Sequence, residues 1–195
     1  MKYNLSDVFS LLENRQTIRP EAYSDRAVQK DQVFNILQSA RWAPNHGGTE
    51  PWFFRVYING KSRDFLDFVA ETFKTLQGEK LNEATYLRFK KRAELAPCVI
   101  VVSGTFGKKP NISELEETEA VACAVQNILL AATAYGLGSF WQTGEVLYSP
   151  AMRTHLQLQD NEKALGMIYL GYPKEDREEA QRHRTPLEFK SLWHE

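Results

Sequence analysis

The chain has little from which to build a self-contained catalytic or metal centre. Its two cysteines, Cys98 and Cys123, are too few for a zinc quartet, and each lies in an apolar run (PCVIVVS and EAVACAVQNILL) that predicts a buried, reduced thiol. Four scattered histidines, His46, His155, His183 and His194, offer no multi-histidine site, and HExxH, CxxC and GxSxG are all absent. There is no Gly-rich phosphate loop either: the GLG at 136–138 lacks a third glycine and follows a helix rather than a strand. Charge of one sign is missing too. With 24 Lys and Arg against 25 Asp and Glu, the formal net charge is -1, which excludes the electrostatic footprint of a protein that wraps nucleic acid. No hydrophobic run reaches the roughly 20 residues that cross a bilayer. The opening MKYNLSDVFSLLENRQ is charged where a signal peptide is apolar, so a cytoplasmic setting without membrane contact is expected.

What is present is an ordinary core. The 195 residues are 43% hydrophobic and 25% charged, enough for one globular domain over 1–195. Val8, Phe9, Leu11 and Leu12 share one side of a short helix over 6–14, with Ser6 as its cap. Helical spacing recurs over 29–42 and 61–76. The charged piece LNEATYLRFKKRAEL reads as a peripheral helix. Strands are expected at 52–58, at the continuous apolar run 99–102, at SFWQTG and at LGMIYLGYP. Ser113 and Glu116 form a capping box ahead of a long helix that is apolar most of the way round and ends at Gly136. Ser149 and Pro150 open another short helix. In the tail, a charged run precedes Leu187, Phe189, Leu192 and Trp193, four apolar side chains that need somewhere to pack. Irregular alternation of helices with about four strands makes the class α+β.

Three junctions carry polar and aromatic residues together. Arg15, Thr17 and Arg19 alternate in an extended stretch after the first helix, where a guanidinium and a hydroxyl two apart can hold a phosphate or simply form surface ion pairs. The loop APNHGGTEPW places Trp42, His46 and Trp52 near a bend; an ordinary turn between core tryptophans fits it equally. SFWQTG offers backbone N–H groups and an aromatic at a strand end, a lip for a flat heterocycle or a buried Trp141.

Taken in order, these segments resemble the FMN-dependent nitroreductase family, closest to its compact bacterial members, along nearly the whole chain. The resemblance is carried by NRQTIR after the first helix, APNHGGTEPWFF, AVQNILLAATAYGLGSFWQTG, YLGYP and RTPLE. It implies a nitroreductase-like α+β fold, with a central mixed β-sheet of four to five strands flanked by helices, in an intertwined homodimer whose FMN sites lie at the subunit interface. It further implies ping-pong hydride transfer from NADH or NADPH through the flavin to an electron-poor acceptor such as a nitroaromatic or quinone. Enone reduction or dehalogenation on the same scaffold, or flavin binding with little turnover, are the alternatives.

Carried over residue by residue, Arg15, Gln16 and Thr17 match the positions holding the FMN phosphate and ribityl chain, and Arg19 a basic position near the pyrimidine edge. Trp42 and His46 match positions reaching the cofactor from the partner chain. Trp141, Gln142, Thr143 and Gly144 match the turn beside the flavin, and Arg184 a late phosphate-binding arginine. No residue is implied as a protein acid, base or metal ligand. The chain departs from the family pattern at Asn45, Gly48 and Glu50, where serine, asparagine and glutamine are frequent. Gln16 and Trp42 also stand where arginine is frequent, so phosphate binding leans on Arg15, Arg41 and Arg184.

Overall fold

A computed structural model describes residues 3–176 and 183–194. Six helices, α1 (Leu5–Asn14), α2 (Lys30–Ala40), α3 (Gly60–Gln77), α4 (Glu83–Leu95), α5 (Glu114–Ala134) and α6 (Pro150–His155), accompany four strands, β1 (Trp52–Ile58), β2 (Cys98–Thr105), β3 (Gly138–Gln142) and β4 (Glu162–Gly171). The strands form one sheet in the order β1-β2-β4-β3.

Every neighbouring pair of strands is antiparallel, which corrects the expected mixed sheet. The cause lies in the connections. Two helices, α3 and α4, carry the chain from β1 to its antiparallel neighbour β2, and α6 carries it from β3 to its antiparallel neighbour β4. Only α5 separates β2 from β3, so those two run the same way, but β4 inserts between them. Among the described residues the one parallel contact is an isolated bridge, Thr17 to Ser139, at the free side of β3.

β2 occupies the interior of the sheet because both of its faces are apolar. Val99, Ile100, Val101 and Val102 are each fully buried, and their alternation divides two cores. Val99 and Val101 join Met167 and Tyr169 beneath Phe65, Leu66, Val69 and Phe73 of α3 and Phe89 and Ala93 of α4. Ile100 and Val102 join Ile168 and Leu170 beneath Val33 and Ile36 of α2 and Ala124, Val125 and Ile128 of α5. Helices therefore cover both faces.

Local chemistry sets the helix ends. The Ser113–Glu116 capping box forms as expected, with the Glu116 carboxylate accepting from the Ser113 N–H at 2.8 Å. Ser149 caps α6 by accepting from the Met152 N–H at 3.1 Å. Gly136, at φ 73°, gives α5 its left-handed exit. The cap of α1 is Asn4 rather than Ser6, because the Asn4 carboxamide already accepts from the Ser6 N–H at 3.1 Å. Cys123 is exposed, contrary to expectation: it falls on the outer side of α5, whereas Cys98 is buried and its thiol pushed up to about 12 by desolvation. No residue of α1 is buried, and Leu187, Phe189, Leu192 and Trp193 are exposed as well. Part of the expected charged tail run, residues 177–182, lies outside the described residues.

Candidate cofactor site

The site is built on the segment that follows α1. Its backbone is extended and anchored to β3: the Ile18 N–H donates to the Ser139 carbonyl at 2.9 Å, and the Tyr23 hydroxyl lies 3.0 Å from the Ile18 carbonyl oxygen and 3.2 Å from that of Tyr169. Burial holds the Tyr23 phenol well above its ordinary range, so it remains a donor. Gly138 permits the approach, since a Cβ there would lie 2.9 Å from the Cβ of Ile18. With Ile18 facing inward, Thr17 and Arg19 are driven outward on the opposite side, as the alternation predicts.

Outward here means into a cleft of about 790 Å³ between this segment, α4 and the end of β3. Gln16, Thr17 and Arg19 form one wall, Arg88 and Arg92 another, and Phe140 with Gln142 closes the strand end. The Arg19 and Arg92 guanidiniums stand 5.8 and 5.1 Å from the centre of the Phe140 ring. Arg92 is almost fully buried; its Nε donates to Glu21 Oε1 at 2.8 Å and its Nη1 to Gln142 Oε1 at 3.0 Å. Three guanidiniums against the single Glu21 carboxylate make the cleft a receptor for anionic, planar chemistry.

Arg88 and Arg92 did not emerge as site residues from the sequence because α4 reads as peripheral. A signal was there: the two arginines are four apart and bracket the apolar Phe89, with Ala93 following, so they share the face that α4 turns toward the protein.

Several expected residues stand elsewhere. Arg15 caps the end of α1, its N–H donating to the Leu11 carbonyl at 3.1 Å, and does not line the cleft. Trp141 points to the opposite face of β3 from Phe140 and lies against Gly166. Thr143 and Gly144 line a second recess beyond Gln142. Trp42 is 85% exposed, and neither it nor His46 lines the cleft of its own chain. His46 Nδ1 lies 2.8 Å from Glu116 Oε1. The Glu116 carboxyl is held down at about 2, first by its hydrogen bonds from Ser113 and then by His46. Arg184 is exposed, donates to the His183 carbonyl at 3.1 Å and does not reach the cleft. Among the described residues no group of His, Cys, Asp and Glu is arranged to hold a metal ion, and no helix is long and apolar enough to cross a membrane.

The chain is thus a three-layer α+β architecture with an arginine-lined cleft at a sheet edge. The family model described as the nitroreductase family matches residues 12–172, and the chain belongs to that family. It is 29% identical over 171 residues to the Escherichia coli protein named "Putative NAD(P)H nitroreductase YdjA", covering 86% of this chain and 89% of that one. The nitroreductase-like family protein from Bacillus cereus superposes with a TM-score of 0.80 at 27% identity, over 100% of this chain and 98% of that one. A Desulfovibrio desulfuricans structure described as a putative nitroreductase in complex with FMN gives a TM-score of 0.71 at 26% identity, over 100% and 99% of the two chains.

Proposed function

We propose that this protein is an FMN-dependent NAD(P)H oxidoreductase, a single FMN-binding domain that works as a homodimer. The observation that carries the reading is the clamped segment Gln16–Arg19, which presents Thr17 and Arg19 to a cleft floored by Phe140 and closed by Arg92. This donor set fits FMN: guanidiniums for its phosphate and the electron-rich edge of its ring, a hydroxyl and carboxamides for its ribityl chain, and an aromatic surface for its flat body.

When bound, FMN supplies two-electron chemistry, accepting hydride from NADH or NADPH and passing it to an electron-poor acceptor such as a nitroaromatic or quinone. The chain's own residues position and polarise. Arg19 and Arg92 place positive charge beside Phe140, where it would hold the electron-rich edge of the bound ring. Gln16 and Thr17 orient the ribityl chain, and Arg15, one residue outside the wall, supplies charge at the phosphate end. Gln142, fixed by Arg92, leads the backbone into Thr143 and Gly144, whose N–H groups would hold the reactive edge of the bound ring. Trp42 and His46 complete the partner's site rather than their own, which agrees with their position outside the cleft of this chain. Arg184 belongs with the phosphate only if the dimer folds the tail back. A cytoplasmic setting, with both nicotinamides at hand, suits this reading.

The test is an absorbance spectrum of gel-filtered protein, followed by anaerobic NADH and NADPH. A flavin spectrum that bleaches is expected and identifies the donor. Colourless protein that refuses added FMN overturns the reading, and flavin that neither nicotinamide reduces reassigns the protein to binding or sensing.

A further inference from the structure

Behind the cleft lies a smaller space that the cofactor reading leaves unassigned. Arg88, Phe89 and Gln142 line both, so the cleft adjoins a recess of about 230 Å³. Phe73, Phe89 and Met167 give the recess an apolar interior, and Thr85, Arg88 and Thr143 stand in its polar wall. An apolar cavity of about 150 Å³ accepts benzene, so this one has room for a single substituted ring.

Of the cleft's three arginines, Arg92 is tied to Glu21 and Gln142, Arg19 stands over the Phe140 ring, and only Arg88 also lines the recess. Arg88 donates from Nη2 to Thr85 Oγ1 at 3.2 Å, and among the described residues no carboxylate pairs with it. The one acidic residue of the recess, Glu145, accepts instead from Gln77 Nε2 at 2.5 Å. An exposed guanidinium with no carboxylate partner among the described residues, beside an apolar, ring-sized space, is matched by a ligand that is flat at one end and carboxylate at the other.

We propose that this recess is the subsite for the reducible substrate and that Arg88 selects aromatic acceptors carrying a carboxylate. The proposal rests on the flavin reading, because Thr143 and Gly144, assigned there to the reactive edge, are also walls of the recess.

Benzoate and benzamide share shape but not charge and cannot be reduced by the enzyme, so their affinities report the subsite apart from turnover. In calorimetric titrations of the FMN-loaded protein at low salt, benzoate is expected to bind about tenfold more tightly than benzamide, the effect of one partly exposed charged hydrogen bond. The preference should shrink as salt is raised. Arg88→Met, loaded with excess FMN and its flavin occupancy read from the spectrum before titration, should abolish the preference, and Arg88→Lys should keep part of it. Thr85→Trp, filling the recess from its rim, should weaken both ligands alike. Equal affinities in the wild type, a preference that survives Arg88→Met, or no binding of either ligand overturns the subsite. Protein that takes up no FMN, seen in its spectrum before titration, overturns the flavin reading and the subsite with it.

Discussion

A single buried guanidinium, that of Arg92, joins three pieces of chain: Glu21 in the turn after the clamped segment, Gln142 at the end of β3, and α4 itself. Truncation would leave the Gln142 carboxamide unpaired and the Glu21 carboxylate without its counter-charge. Arg92→Met is therefore expected to cost about 1–3 kcal/mol in urea denaturation, and to weaken FMN uptake in a fluorescence titration. An unchanged denaturation midpoint would show the network to be idle. Thr143 is the opposite case. Its side chain forms no hydrogen bond among the described residues, and the contact attributed to it is a backbone N–H, so Thr143→Ala should keep its flavin and lose less than about tenfold in kcat/KM. A flavin-replete but inactive variant would contradict the claim that no protein side chain acts as an essential acid or base.

Elements explain what single residues cannot. Gly138 is a residue of β3, but its consequence lies in the clamped segment: a methyl there strikes Ile18 and prises the segment from the sheet edge. Gly138→Ala should cost about 1–3 kcal/mol and lower FMN affinity, while far-UV circular dichroism stays close to wild type. At the other end of the same core, His155 of α6 stacks on Phe68 of α3 with ring centres 4.0 Å apart, and burial lowers its pKa. The unfolded chain therefore binds this proton more readily than the folded one. Stability from the neutral ring is present above the ordinary histidine value, near 6.5, and is lost as pH falls below it. His155→Phe should flatten that acid limb of the denaturation profile, and an unaltered slope would exclude the ring as its source.

Legibility followed the same division between residue and element. Periodicity alone placed β1 over Trp52–Ile58, because a strand edge coincides with a change from turn residues to alternation. Capping chemistry located the starts of α5 and α6 for the same local reason. What escaped was tertiary: that α4 faces inward through Arg92, that β4 inserts between β2 and β3, and that Phe140 rather than Trp141 faces the cleft. Apart from the spacing of Arg88 and Arg92 on α4, none of these is encoded in a window of a few residues. The arginine–hydroxyl–arginine alternation was readable, yet only docking on Ser139 shows why Thr17 and Arg19 face the cleft and Arg15 does not.

At the scale of the whole molecule, the fold leaves a surplus of apolar surface on one chain. Phe9 and Leu12 of α1, Phe34 of α2, Trp42, and the tail residues Leu187, Phe189, Leu192 and Trp193 are all exposed. A ten-residue helix with no buried residue of its own is marginal in water, so α1 draws its stability from something that covers its apolar side. A second copy is the cover consistent with the proposed dimer, and it would also give Trp42 and His46 a site to complete. Light scattering on the purified protein should then report twice the chain mass. Phe9→Glu combined with Leu12→Glu, two exposed positions that no core contact of the chain requires, should shift it toward monomer and release FMN in the same step. A wild-type protein that is monomeric yet retains its flavin would sever the two, leaving a cleft complete within one chain and the exposed aromatics unexplained by self-association.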